Sequence, residues 1–317
     1  MPNTFHIWLP VLTAFIAIAI DRGILDSPKH PVVDHPYFFY ALSLVAVLLA
    51  AAALAARFNK ALRLRLEEKA KFYTVLILAL TVLNLVTKKF SLLPVIFFPS
   101  LDRIISVLVL DREYLFVTCL GSSMKLLSLG FFFGAIAGLI TGISVGFSKA
   151  VSYWVNPITK ALGPIPPTAW IPIVLVAFPT TFAGGVFLIA LSVWFPTAIM
   201  SSSGIQNVQN AYFEVSSTLG AGRYCQIFKV GIPAAMPHIF IGIFNGVCSS
   251  FITLMTAEML GVKNGIGWYI NWQREMLSYA NVYAGLLIIA VTFYTLITLL
   301  FKVRDHVLVW QKGVIKW

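Results

Sequence analysis

The stretch QNVQNAYFEVSSTLGAGRYCQIFKVGIP, residues 206–233, separates two long apolar runs at 183–203 and 235–261. It is long for a connection between membrane helices, yet it is not featureless. Val208, Phe213, Val215 and Leu219, then Tyr224, Ile227 and Phe228, form an amphipathic pattern interrupted at Gly220 and Gly222. This spacing predicts two short helices joined at a glycine-containing turn. Such a device can rest on a membrane surface or dock into a groove on a partner.

The flanks place the segment in a membrane protein. Of 317 residues, 59% are hydrophobic and 11% charged, whereas soluble domains carry roughly 25% charged residues. The mean hydropathy is +0.88. The expected fold class is therefore all-α and polytopic, with about eight transmembrane helices. A spanning helix needs about 20 mostly apolar residues, and the candidates are 5–20, 37–56, 72–87, 122–148, 166–180, 183–203, 235–261 and 281–301. The first is short, with an interfacial helix as its alternative, and it lacks the basic start and cleavage site of a signal peptide. The fifth contains Pro166, Pro167, Pro172 and Pro179; it is expected to kink, a geometry tolerated only where protein or a cavity covers the backbone.

The net charge of +11 forms no continuous basic stripe, so nucleic acid is not an expected partner. The basic residues sit between apolar runs, where they orient helices. With the N-terminus in the cytoplasm, 14 of the 23 basic residues fall inside, six of them in the 57–71 segment, and nine, including Lys88 and Lys89, fall outside. Both termini are thus expected to be cytoplasmic. Residues 1–71 read as an N-terminal extension with two transmembrane helices and a basic loop, and 72–317 as the main membrane domain.

Gly130, Gly134, Gly138, Gly142 and Gly146 recur at a spacing of four, which puts them on one helix face where another backbone can approach. Packing and a sliding gating surface are the two readings. Glu258 is the one acidic residue in any candidate span; an intramembrane carboxylate faces a partner or a cavity, as a structural hydrogen-bonding group or a gate. No HExxH, GxSxG or GxxxxGK[ST] motif is present, the five histidines are scattered, and Cys119, Cys225 and Cys248 have no metal-type spacing. No enzyme, no metal site and no nucleotide bound by this chain are expected.

Glu214-Val-Ser, Gly220 six positions on, and Val230-Gly-Ile-Pro233 resemble the EAA loop of ABC importer permeases, departing at Val215 and Ser216 where the family has alanines. Ile165-Pro-Pro-Thr-Ala-Trp-Ile-Pro172, Ala257-Glu-Met259 and Gly265-Ile-Gly267 resemble elements of the nitrate, sulfonate, taurine and bicarbonate branch. The resemblance covers roughly residues 90–317. Departures at Leu162-Gly163-Pro164 and Phe178-Pro179 bear on substrate rather than mechanism.

The resemblance implies a type I importer permease of the bacterial inner membrane, with six family-like helices and two extra at the N-terminus. It implies cytoplasmic ATPase partners that hold ATP and Mg²⁺, a second permease copy, most simply an identical one, and a periplasmic or lipid-anchored binding protein, all within membrane lipid. Glu214, Gly220, Ala221, Arg223 and Pro233 would couple to the ATPase, and Pro166, Trp170, Pro172 and Glu258 would belong to the gate or path. A small anion such as nitrate, sulfonate, taurine or bicarbonate is the implied substrate. The competing class is a secondary transporter or channel, for which Glu258 alone supplies little intramembrane charge. The topology has a direct test: a reporter active only in the cytoplasm should work after Leu66, near Gly220 and after Trp317, and fail after Asp111. A cytoplasmic signal after Asp111 would overturn the orientation or the helix count.

Overall fold

The computed structural model describes residues 5–28, 35–163 and 165–310; Lys29, Pro164, Lys312, Lys316 and Trp317 lie outside them. The described residues form helices and no strand. Among the described residues, seven helices are long and apolar enough to cross a membrane, beginning with His6–Gly23 and ending with Tyr279–Val307. The chain divides into two compact units, Met1–Arg112 with Trp272–Ala284, and Glu113–Asn271 with Gly285–Trp317.

In the first unit α1 (Phe5–Gly23) packs against both α2 (Tyr37–Ala55) and α3 (Lys60–Asn84). Ala14, Ala17, Phe38, Leu42, Ala46 and Ile77 are the buried contacts. The segment 57–71, read from sequence as a loop, is helical from Lys60 onward, and position 71/72 falls within α3. Asn59 caps it, its side chain accepting from the N–H groups of Ala61 and Leu62, and Arg63 pairs with Glu67 one turn on. A π-helical turn, Leu85–Lys89, extends α3 and places Lys88 and Lys89 in an ion cluster. Lys88 lies 3.0 Å from Asp26 and 2.9 Å from Asp102, and Lys89 lies 2.7 Å from Asp26. Asp102, on α4 (Leu101–Leu110), also accepts from the N–H of Phe38 at 2.8 Å and so satisfies the start of α2. Burial opposes the charge of Asp26, but the hydrogen bonds from Lys89 and Lys88 outweigh it and hold its carboxyl below the usual range. The stability Asp26 contributes is therefore present above that range and lost as pH falls below it.

The second unit is organised around α8 (Thr181–Gln206), which lies between α5 (Gly121–Phe147) and α11 (Ile232–Leu260). A β-carbon on Gly130 would lie 2.5 Å from Ile189, one on Gly134 2.8 Å from Val193, on Gly138 2.7 Å from Thr197, on Gly142 2.7 Å from Ser201, and on Gly146 2.6 Å from Ile205. Each glycine meets the residue 59 positions later, so α5 and α8 run parallel in strict register. The five α8 residues are all buried and fill a groove that glycine alone leaves open. Against α11, Gly204 meets His238, Gly242 meets Met200 and Gly246 meets Val193, which makes α11 antiparallel to α8.

Parallel packing forces a return. From Gly130 to Gly146 the axis advances about 24 Å, and the chain must recover that distance before α8 begins. It does so in two pieces, α6 (Lys149–Leu162) and, after a 3₁₀ turn at Pro167–Trp170, the short α7 (Ile171–Ala177). Together they are apolar and long enough to span, with a bend of 84° between them. The fifth candidate, 166–180, is thus not a helix on its own but the second half of a broken crossing. Its prolines supply no N–H for a continuous helix, and Lys149 and Lys160 conceal the first half from a search for uncharged runs.

Two other boundaries shift. A π turn, Tyr114–Leu120, lengthens the fourth crossing to Tyr114–Phe147, and another, Gln226–Gly231, fuses the short α10 (Arg223–Cys225) to α11 in a continuous Arg223–Met259 helix. The second of the two expected short helices is therefore the start of a transmembrane helix. Widened turns of this kind accommodate positions where the regular ladder is broken, as Pro233 and Pro237 break it here.

The glycine groove predicts opposite outcomes for neighbouring positions. Gly138→Leu drives a side chain into Thr197 and the Trp194 carbonyl and should destabilise at the upper end of the roughly 1–3 kcal/mol typical of overpacking. Ile140→Leu, at an exposed position, should be neutral. Thermal unfolding of the purified protein separates them, and equal midpoints would remove the close-packing argument.

Candidate functional site

At the end of the bundle where Gly146 meets Ile205, residues 206–231 build a tight two-helix device. The first helix, α9 (Asn210–Thr218), ends at Gly220, whose φ of +82° belongs to the left-handed region that glycine adopts without strain. The N–H of Gly220 donates to Ser217 at 2.9 Å and the N–H of Ala221 donates to Ser216 at 2.9 Å, the hydrogen-bond pair of a Schellman cap. Gln226 Nε2 then donates to Ser217 Oγ at 2.7 Å, tying the start of the long helix back to α9. The turn is fixed by geometry at glycine and by three hydrogen bonds.

One face of α9 holds to the bundle. Phe213 meets Phe147 edge-on with ring centroids 6.1 Å apart, and Ser216 is buried. Phe147 also fills the space beside Gly231, where a β-carbon would lie 2.2 Å from its ring. Away from that contact Tyr212, Val215 and Leu219 are exposed on α9 and at its end, and Tyr224 and Phe228 are exposed on the start of the long helix. Glu214 is exposed and makes no hydrogen bond or ion pair among the described residues, so it does not cap a helix. Arg223 and Ala221 lie at the turn, and Pro233 is at the second position of α11.

The broken crossing lines a cavity of about 340 Å³. Pro166, Pro167 and Trp170 wall it on one side, Ser192, Trp194 and Phe195 of α8 on another, and Ser249 of α11 completes it. At Gly163 the Phe195 ring occupies the place of a side chain, 2.0 Å from an ideal β-carbon. Of the residues assigned from sequence to the path, Pro166 and Trp170 line this cavity, whereas Pro172 and Glu258 do not.

Glu258 belongs to a separate arrangement at the far end of α11. It is 1% exposed. Its Oε2 accepts the N–H of Gly267 at 2.8 Å, the first turn of α12 (Ile266–Glu275). Ser123, at the start of α5, sits beside the same carboxyl and accepts the N–H of Ile266 at 2.9 Å. Gly265 has φ +119°, and a β-carbon there would fall 2.3 Å from Glu258 Oε1; at Gly267 it would fall 2.9 Å from Glu258 Cβ. The Glu258 and Gly265-Ile-Gly267 elements are thus two halves of one clasp that joins α5, α11 and the start of α12.

Residues 130–308 match the model of the binding-protein-dependent transport system inner membrane component family. The chain belongs to this family. It is 35% identical over 164 residues to a protein described as an aliphatic sulfonates transport permease, SsuC of Bacillus subtilis, covering 52% of this chain and 59% of that one. It is 32% identical over 172 residues to the nitrate import permease protein NrtB of Leptolyngbya laminosa, covering 53% and 62%. The alignments span about three-fifths of the length of these relatives. Among solved structures, a chain of the inward-facing MetNI methionine ABC transporter covers 59% of this chain and 93% of its own at 17% identity, with a TM-score of 0.47.

The family match contains the glycine groove, the broken crossing, the two-helix device and the Glu258 and Gly265–Gly267 parts of the clasp, while α1–α4 and Ser123 precede it. A multi-pass inner membrane transport component is accordingly the coarse identity of the chain. Sequence reasoning did not find Phe147, Phe195, Ser123 or Ser249. Their signal lies in what they touch, since Phe, Ser and Leu recur throughout the apolar runs.

The clasp makes a graded prediction. Glu258→Ala leaves the Gly267 N–H buried without its acceptor and should cost about 1–3 kcal/mol, whereas Glu258→Gln keeps an acceptor oxygen and should cost less. Thermal unfolding with limited proteolysis after Lys263 reads both; an Ala variant as stable and as resistant as wild type would show that the clasp holds nothing.

Proposed function

We propose that the chain is the permease subunit of an ATP-driven importer, forming the path for a small anion such as a sulfonate, nitrate, taurine or bicarbonate and coupling it to a separate cytoplasmic ATPase. ATP and Mg²⁺ would be held by that partner. A second permease copy, most simply an identical one, and a periplasmic or lipid-anchored binding protein complete the assembly. The observation that carries this reading is the rigid α9–Gly220–α10 device, braced on the bundle by Phe213 and Phe147 and exposed away from that contact.

A surface that is apolar, fixed in shape and bears the unpaired Glu214 is suited to docking in a groove and transmitting displacement. A push on α9 passes through Phe213 and Phe147 to α5, and through the Gln226–Ser217 hydrogen bond to the long helix that carries Ser249 at the cavity. Closure of the ATPase would in this way alter the walls of the path by favouring one of two arrangements. Ala221 and Arg223 shape the turn, and Pro233 marks where the lever becomes a membrane helix. The broken crossing, with Pro166 and Trp170, forms a wall of the path, while Pro172 begins the short helix behind it and Glu258 fixes the far end of α11. Residues 1–71 act as an added membrane anchor before the importer domain.

Eight passes, counting the broken crossing, would put both termini on one side of the membrane, in keeping with the proposed cytoplasmic termini. Lys88 and Lys89, which weakened the charge argument for a cytoplasmic N-terminus, are held in ion pairs, as are Arg63 and Arg304 on the proposed inner side; setting all four aside leaves seven outside against twelve inside.

Gly220→Val forces a branched side chain onto positive φ and touches no core, since nothing lies within 4 Å of its ideal β-carbon. It should leave protein abundance normal and reduce uptake strongly, with the ATPase dissociated or hydrolysing without response to substrate. Glu214→Ala should do the same to a lesser degree. Reconstituted Gly220→Val transporting at the wild-type rate would exclude the lever, and uptake with no ATPase present would favour a secondary transporter or channel.

A further inference from the structure

We infer that the pocket where the start of α1 meets the turn between α2 and α3 holds the phosphate head of an anionic phospholipid, so that one lipid molecule has a defined place on the first unit. The inference is independent of the importer reading, because α1, α2 and α3 lie outside the family match.

The pocket has a volume of about 170 Å³ and is lined by Ile7 and Trp8 of α1, by Ala53, Ala56 and Arg57 at the end of α2, and by Arg63 in the first turn of α3. Its apolar part is close-packed, with Ile7 and Ala53 buried beside Val11. Its polar part is two guanidinium groups and an indole. The Arg57 guanidinium lies over the Trp8 ring, 5.8 Å from the centroid, a contact that orients both side chains. Neither the Arg57 guanidinium nor the Trp8 indole N–H makes a hydrogen bond or ion pair among the described residues. Arg63 is held by Glu67, to which its Nε donates at 3.0 Å, so Arg57 and Trp8 are the donors that a ligand can claim.

Two oriented donors beside an apolar wall fit an oxyanion that arrives attached to an apolar body. The volume falls below the roughly 300 Å³ at which pockets begin to enclose a whole small-molecule ligand, so the pocket takes a head group only. The rest of the ligand has a surface to follow. On the face of α1 that Trp8 occupies, Leu12, Phe15 and Ile16 recur one and two turns further on and are all exposed. Because α1 is long and apolar enough to cross a membrane, acyl chains lying on this stripe would run in the bilayer with their phosphate at the helix end. A free inorganic anion would use the donors and leave the stripe unused. Charge then selects among phospholipids: the segment 57–71 holds six basic residues against Glu67 and Glu68, and basic pockets between membrane helices favour anionic head groups. A zwitterionic lipid brings the same phosphate together with an ammonium group, which these residues repel.

The test is native mass spectrometry of the delipidated full chain in detergent, offered dioleoylphosphatidylglycerol, dioleoylphosphatidylcholine or inorganic phosphate. One phosphatidylglycerol should be retained saturably, on the order of tenfold more tightly than phosphatidylcholine, and an excess of inorganic phosphate should not displace it. Arg57→Gln, at an exposed position, removes a charge without touching the core and should abolish most of that preference. Trp8→Phe keeps the ring and removes the donor, and should weaken both lipids alike, since both carry the phosphate. Lys69→Gln lies in the same basic segment but does not line the pocket, and it should change nothing. Equal retention of the two lipids, or an undiminished preference in the Arg57→Gln protein, would overturn the assignment. Displacement of phosphatidylglycerol by inorganic phosphate would replace it with a site for free anions. A loss with Lys69→Gln as large as with Arg57→Gln would replace it with diffuse attraction to the basic segment.

Discussion

The contact of α5 with α8 sets the terms for the rest of the second unit. In a bilayer there is little hydrophobic gain in bringing two helices together, so association depends on close van der Waals packing. Five glycines at a spacing of four let the backbone of α8 come within contact distance of α5 along about 24 Å. Because the two helices are parallel, the intervening chain must cross back, and it has little room to do so beside a pair already packed so closely. The return is made by α6, beside α5, and by α7 on the flank of α8, and the cavity lies at the bend between them. The groove, the broken crossing and the cavity are thus consequences of a single packing choice.

A broken helix within a membrane leaves backbone groups that water cannot satisfy, and it persists only where protein covers it. Here the cover is specific. The Phe195 ring seals the backbone at Gly163, Trp170 and the two prolines line the cavity together with α8, and α7 is held by Val174 against Gly184. Glycine recurs wherever two elements must touch: Gly163 under Phe195, Gly184 under Val174, Gly231 under Phe147 and Gly267 under Glu258. Each admits one neighbour, and the neighbour fixes the position of a segment that carries a proposed functional residue.

Half of each of these pairs was legible in the sequence. The glycine ladder announced a groove through its period, but its occupants, Ile189, Val193, Thr197, Ser201 and Ile205, share a period of four without sharing size or polarity, and so left no visible stripe. Gly220 was legible as a turn because an amphipathic pattern stopped on either side of it. The second half of that pattern was misread as a separate helix, since a π turn lets Arg223–Met259 continue past Pro233, where proline ordinarily marks a helix start. Glu258 stood out as a charge in an apolar run, yet its role depended on Gly267, nine residues away, and on Ser123, which is far off in sequence. The ion cluster of Asp26, Lys88, Lys89 and Asp102 was invisible for the same reason, and its lysines had been counted as free charges.

These arrangements bear on how a signal could cross the bundle. The two-helix device and the cavity share helices instead of merely lying in the same unit: α11 begins at the device and bears Ser249 at the cavity, and α8 bears Ser192, Trp194 and Phe195 and ends at Gln206, where the device begins. The α5–α8 pair is interlocked at every fourth residue, so it should move as one body. The α8–α11 contact is also extensive and close at Gly204, Gly242 and Gly246, whereas the broken crossing touches α8 only through short segments. Displacement entering at α9 would therefore be resisted least along the seam that α8 makes with α7 and the 3₁₀ turn beside the cavity. A stiff core flanked by one weaker seam converts a push at one end into a change of cavity shape near the middle, and the glycines set which contacts are tight.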